Sequence, residues 1–316
     1  MKNLIAANDN SSVKSKPKVK RALFYTLFIA FPIIHYLVFY VYINLNSFLM
    51  AFRTYSLDPL KGMTYKFAGW QNFSDAWQLL VKSGDRIWMS VLFLAVSIFF
   101  STPLALLFSY YIYKKRFASG VFRVMLFLPQ ILSGVILGLL FRYMCNQVAG
   151  WFAEKWFHTP AKNLLTSPSS QVWMVIFFNV LMSFGVNVLT YSGTMSGINQ
   201  SLIESAELDG CNPLQEFRYI VLPMIWPTVT TLMVVGFSRI FTEQWQVLTL
   251  LSMYPGKADN MGYYLYVEAM NGDFIATQTT MAYGTLSALG LILTAIILPL
   301  TMVLRWALDK YGPKAE

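Results

Sequence analysis

Residues 204–227 read Glu204-Ser-Ala-Glu-Leu-Asp-Gly-Cys-Asn-Pro-Leu-Gln-Glu-Phe-Arg-Tyr-Ile-Val-Leu-Pro-Met-Ile-Trp-Pro227, a polar, acidic stretch wedged between two apolar runs. It carries four acids (Glu204, Glu207, Asp209, Glu216) and one base (Arg218). Short cytoplasmic loops of membrane proteins favour Lys and Arg instead. Acids in such a loop therefore point to a partner that docks there.

The surrounding chain is built for a bilayer. Mean hydropathy is +0.50, with 56% apolar and 12% charged residues, about half the charge of a soluble domain. A membrane span needs about 20 mostly apolar residues. Six runs qualify, at about 23–50, 87–113, 120–144, 171–193, 221–249 and 283–306. The fold class is an all-α polytopic membrane protein with six transmembrane helices. Residues 1–20 form a basic tail and 21–316 one transmembrane domain, with no internal repeat. The first apolar run is too long for a signal h-region and has no small-residue cleavage site behind it.

Six spans place both termini on one side. Lys2, Lys14, Lys16, Lys18, Lys20 and Arg21 in the tail, and Lys114, Lys115 and Arg116 between spans 2 and 3, put that side in the cytoplasm. The acidic loop then faces the cytoplasm too. The net charge of +9 is accounted for by orientation and headgroup contact with membrane lipid, and no nucleic acid is expected. Cys145 and Cys211 fall on opposite faces and cannot pair.

Local signals order the loop. Ser201-Leu-Ile-Glu204 has the spacing of a capping box, and a helix over about 202–209 follows, with Gly210 as its left-handed cap. Asn212-Pro213 restarts a helix as N-cap and first residue. Two helices should therefore meet at a bend, the second running into span 5, with Pro223 and Pro227 at the membrane entry.

The string Glu-x-Ala, Asp-Gly, Phe217, Ile220, Leu222-Pro223 closely resembles the Glu-Ala-Ala…Gly…Ile-x-Leu-Pro motif of ABC importer permeases, with Ser205 and Cys211 as small departures. Phe67-Ala-Gly-Trp-Gln-Asn-Phe73 resembles the Phe-x-Gly-x-x-Asn-Phe signature of carbohydrate permeases. Phe122-Arg123, Phe127-Leu-Pro129 and Gly138-Leu139 resemble the third span of the same group. The chain is thus similar to the maltose and glycerol-phosphate permeases.

That resemblance implies a type I ABC importer permease fold in the bacterial cytoplasmic (inner) membrane, with a coupling helix at about 201–216. It implies a second homologous permease, an ATPase dimer and an extracytoplasmic solute-binding protein as partners, and an oligosaccharide as cargo. Coupling would fall to Glu204, Ser205, Ala206, Asp209, Gly210, Leu222 and Pro223. Glu204 would pair with a base on the ATPase, and the small residues would let the helix seat closely.

Two polar groups interrupt the spans. Asn179, Ser183 and Asn187, at i, i+4 and i+8, share one face of span 4. They serve either helix–helix contact or the substrate path, and the resemblance favours the path for Asn179 and Ser183. Arg239 and Glu243, with Gln244 beside them, sit late in span 5. An intramembrane charge is a functional candidate by default, and a local ion pair is the competing reading. If Arg142 and Arg239 face the cavity, an acidic saccharide such as a uronate oligomer fits.

The chain is not expected to be an enzyme. His35 and His158 have no metal-like company, and there is no Ser/His/Asp or Cys/His set and no phosphate-binding Gly-x-x-x-x-Gly-Lys-Ser/Thr loop. It needs no cofactor, and ATP and Mg belong to the ATPase partner. The alternatives are a permease for another solute (glycerol phosphate, peptide) or a stand-alone secondary transporter. The transporter would require acids buried mid-span, and Glu243 alone approaches that.

Overall fold

The computed structural model describes residues 16–58, 62–157, 163–252, 254–271 and 282–313. Among these residues six helices are long and apolar enough to cross a membrane. Helix α1 (Arg21–Met50) continues from a turn that starts at Lys16, so the tail boundary drawn at residue 20 falls inside a helix. No part of its apolar window is buried against the rest of the chain. Its surface is left to lipid or to another chain.

An antiparallel hairpin follows, β1 (Arg53–Asp58) against β2 (Gly62–Phe67), with Arg53 opposite Phe67. The all-α reading did not foresee it. Next comes α2 (Gln71–Lys82), whose Asn72, Ala76 and Leu80 form one buried stripe. The Phe67–Phe73 signature acquires a physical reason here. Gly69 turns the chain at φ +58°, and Phe73 packs on Phe52. The buried Asn72 amide donates to the carbonyls of Ala51 (2.9 Å) and Arg53 (3.0 Å), left free where α1 ends. A Cβ on Gly284 would strike the Arg53 carbonyl oxygen at 2.3 Å.

Helix α3 (Gly84–Tyr113) widens into a π turn over Ser97–Ser101, just before Pro103, which cannot donate to the ladder. The third crossing differs from the run at 120–144. It is broken into α4 (Ser119–Ile131) and α5 (Gly134–Trp156). Leu132 and Ser133 are extended (ψ 149° and 129°) directly after the turn that holds Pro129. What reads as a kink is a break, and the Gln130 amide bonds the Met182 carbonyl across it.

Helix α6 (Gln171–Met195) matches the fourth run. The coupling segment comprises α7 (Gln200–Leu208) and the start of α8 (Pro213–Ser238), the two helices meeting at a bend as the loop's capping signals predict. The fifth run, 221–249, is also corrected. The helix begins at Pro213 and ends at Ser238, then residues 239–246 form turns before α9 (Val247–Leu251). Arg239, Glu243 and Gln244 therefore do not lie on a helix face. Two non-glycine residues, Trp245 (φ 52°) and Gln246 (φ 60°), hold left-handed backbone there. Helices α10 (Met261–Asn271) and α11 (Ala282–Tyr311) complete the described chain.

The core sits at both ends of the bundle. At the α7 end Leu106, Val188, Tyr191, Met195, Ile203, Val221 and Ile225 form one cluster from α3, α6, α7 and α8. Phe93, Cys145, Val175, Phe178, Val247 and Tyr263 form another, and Ala51, Ala76, Leu80, Met261 and Leu289 form a third beside the hairpin. Both cysteines are free, Cys145 buried in α5 and Cys211 just after α7.

Candidate functional site

The acidic loop is shaped by its own caps. Asn199, not Ser201, begins α7, its side chain accepting from the Ser201 amide at 3.1 Å. The Ser201–Glu204 capping box does not form, because Asn199 already serves the orphan amides two residues earlier. The hydroxyl of Ser205 donates to the Ser201 carbonyl at 2.9 Å. At the other end Gly210 adopts φ +80°. Its amide donates to the Glu207 carbonyl (3.1 Å) and that of Cys211 to the Ala206 carbonyl (2.9 Å), the two-bond C-cap that left-handed glycine permits. The capping box lies further on. The Asn212 side chain accepts from Leu214 and Gln215, and the Gln215 side chain accepts from the Asn212 amide.

These caps fix two faces. Ile203, 2% exposed, and Ala206 enter the core beside Val221 and Ile225. Pro223 is buried in α8, just after a π turn over Phe217–Val221, and Leu222 packs half-buried beside it. Glu204, Ser205, Asp209 and Gly210 point outward. Beside them Leu208 is 90% exposed and Leu214 71% exposed.

The four acids divide by function. Glu207 and Glu216 face inward to Lys114 at the end of α3, whose ammonium lies 3.0 Å from Glu207 Oε1 and 2.8 Å from Glu216 Oε2. Burial alone would lower the Lys114 pKa, but hydrogen bonds to the two carboxylates outweigh it and hold the ammonium above its ordinary range. Glu204 and Asp209 are exposed and have no ionic partner among the described residues.

Near the middle of the bundle Asn179 and Ser183 of α6 meet Ser97 and Ser101 of the α3 π turn and Trp245 of the 239–246 segment. Together they line a small pocket of about 10 Å³, the space of a single water. The Ser101 hydroxyl and the Trp245 indole N–H are buried there with no hydrogen-bond partner among the described residues, although the indole ring stacks on Phe93. Asn187 is half-buried one step further along α6 and does not line this cavity. Arg239 is exposed at the end of α8, Glu243 is half-buried with its carbonyl against Gly262, and the Gln244 carbonyl accepts from Asn260. Arg142 bonds the Ser252 hydroxyl at 3.1 Å. Neither arginine lines the cavity.

Sequence reasoning missed Lys114, Leu208, Leu214 and Trp245. Lys114 counts only as an orientation charge until its partners are placed, and a leucine in a loop carries no sign of its exposure. The Trp245 backbone is left-handed without a glycine to announce it.

The family of binding-protein-dependent transport system inner membrane components matches residues 101–316. The arabinooligosaccharides transport system permease protein AraP of Halalkalibacterium halodurans is 28% identical over 199 residues, 56% of this chain and 55% of that one. The chain spans about half the length of that relative. AraP of Bacillus subtilis is 24% identical over 90% of both chains. In structure the chain is similar to a bacterial ABC transporter involved in the import of the acidic polysaccharide alginate, with TM-score 0.73, 21% identity, and coverage of 94% of this chain and 98% of that one. It matches the alginate transporter in complex with an alginate pentasaccharide-bound periplasmic protein at TM-score 0.72, 20% identity, and coverage of 95% and 99%. With a family match that begins in α3 and runs past the end of α11, this chain is a member of the binding-protein-dependent transport system inner membrane components, a multi-pass ABC transporter permease.

Proposed function

We propose that the chain is the translocation subunit of an ATP-driven importer for an oligosaccharide, lodged in the bacterial inner membrane with both termini in the cytoplasm. The observation that carries this reading is the α7 turn, an ordered helix that buries Ile203 and Ala206 and holds Glu204, Leu208 and Asp209 outward. An ATPase dimer docks there, a second homologous permease completes the pore, and a solute-binding protein delivers the sugar from outside. ATP and Mg stay on the ATPase. Closure of the ATPase dimer favours one state of the permease pair and cargo favours the other, so each ligand shifts the population toward the state it binds better.

The cargo path runs past Asn179 and Ser183. Backbone breaks at membrane depth are tolerated where they are buried in protein or line a water-filled cavity, and the 239–246 segment brings Trp245 to Asn179. This narrow pocket widens into the path between the two permeases. Asn179→Leu is expected to cut oligosaccharide uptake by about tenfold or change its selectivity, since unpaired hydroxyls cost about 1–3 kcal/mol each. Basal ATPase activity of the assembled complex should remain. Normal uptake by this variant would move the sugar contacts to the partner permease. The acidic-cargo reading has its own check, Arg239→Gln, which should slow a uronate oligomer more than a neutral one. Equal effects on both would remove Arg239 from the path.

Orientation is tested by labelling intact cells with an impermeant thiol reagent. A cysteine replacing the exposed Lys257 should react from outside in a background lacking Cys211. Cys211 itself should react only after the membrane is opened. Labelling of Cys211 from outside would reverse the topology.

A further inference from the structure

Lys114 joins three elements through one ammonium. It caps α3, with its own amide bonded to the Tyr110 carbonyl at 3.0 Å. It reaches Glu207 on α7 and Glu216 at the foot of α8. The two arms differ in kind. The Glu216 side chain is 3% exposed against 59% for Glu207. Among the described residues Glu216 Oε1 has no hydrogen-bond partner, and Lys114 is the cation paired with the other oxygen of that buried carboxylate. A buried carboxylate that loses its counter-charge is strongly penalised, whereas an exposed ion pair contributes little. The Glu216 arm is therefore the firm one and the Glu207 arm the one that yields. A second tie backs the firm arm. The Tyr110 hydroxyl donates to the Pro213 carbonyl at 3.0 Å, and the Tyr110 and Phe217 rings lie 5.1 Å apart.

We propose that Lys114 is a positioning residue for energy coupling: it welds the end of span 2 to the foot of span 5 through Glu216, and holds the docking helix α7 to that weld through the breakable contact with Glu207. A push on α7 then moves α3 and α8 as one body instead of bending the loop. This rests on the importer reading above, since it presumes that α7 receives the ATPase.

The test uses the complete importer, co-expressed with its ATPase, second permease and binding protein, in proteoliposomes. The readouts are retained ATPase, basal hydrolysis, and oligosaccharide carried per ATP hydrolysed. Lys114→Met with Glu216→Gln removes both charges of the firm arm without leaving one buried alone. This double variant is expected to assemble and to hydrolyse ATP at the basal rate, but to lose about tenfold in transport per ATP, within the usual size of a coupling free energy. Lys114→Arg should restore most of it, and Glu207→Gln should change the ratio by about threefold or less. A wild-type ratio in the double variant would overturn the proposal, because the lysine would then only stabilise the fold. So would an equal loss in the arginine variant. If wild-type chain itself retains no ATPase, the importer reading fails, a result distinct from either of these. Should the double variant not assemble, Lys114→Gln with Glu216→Gln, which keeps a neutral hydrogen bond in place of the ion pair, is read through the same ratio: a loss of about tenfold supports the proposal and a wild-type ratio overturns it.

Discussion

Transport should fall by an order of magnitude or more when Glu204 is replaced by Arg, with the permease still folded and inserted. The folded chain asks nothing of this carboxylate. Glu204 is exposed, bonds no described residue, and is not the cap of α7, a role that Asn199 fills. Its loss therefore costs the isolated subunit little, about 0.5 kcal/mol or less. At a partly buried interface it would accept a charge-assisted bond from the ATPase, and reversing its sign there replaces attraction by repulsion worth several kcal/mol. Purified Glu204→Arg complex should contain less ATPase subunit, or hydrolyse ATP without transport. Normal retention together with normal transport would remove Glu204 from the docking surface.

An equally large effect, on folding instead of coupling, is expected at Gly185. Here α4 lies directly on α6, and a Cβ on residue 185 would stand 1.9 Å from the Leu126 carbonyl oxygen and 2.9 Å from its carbon. Both obstacles are backbone, so no side chain can rotate away. Small residues in membrane helices permit this kind of approach. Gly185→Val should destabilise the subunit by about 3 kcal/mol or more, the upper range for overpacking, and leave little monodisperse protein in detergent. Gly193, on the same helix with nothing within 4 Å of its Cβ position, supplies the contrast. Gly193→Ala should melt within a few degrees of wild type. If both variants melt alike, the α4–α6 contact is looser than described.

The parts of the fold legible in the sequence were those set by composition or by short-range chemistry. Apolar runs located the crossings because a span is specified by length and hydropathy alone. Gly210 and Asn212-Pro213 were legible because left-handed backbone and N-capping act within a few residues. The same local rule misled at Ser201, where two capping residues compete and Asn199 prevails. Hydropathy could not show the break at Leu132–Ser133, since the apolar run continues through it, and at 239–246 the polar residues Arg239, Glu243 and Gln244 read equally well as a polar face on a continuing helix. The second break is held by distant groups, with Asn260 bonding the Gln244 carbonyl and Gly262 leaving room for that of Glu243. Lys114 and Glu207 are 93 residues apart, and no local pattern connects them. Consequently the acids of the loop all read as docking groups, although two of the four serve the permease itself.

The central claim is that the outward face of α7 is where the ATPase sits. Leu208, 90% exposed on that face, can be replaced by a photo-crosslinking phenylalanine analogue and irradiated in intact membranes. The account predicts an adduct with the ATPase subunit, absent from a control carrying the analogue at Trp173, which is exposed on α6. An adduct with the extracytoplasmic binding protein, or none with the ATPase in a complex that transports, would contradict it.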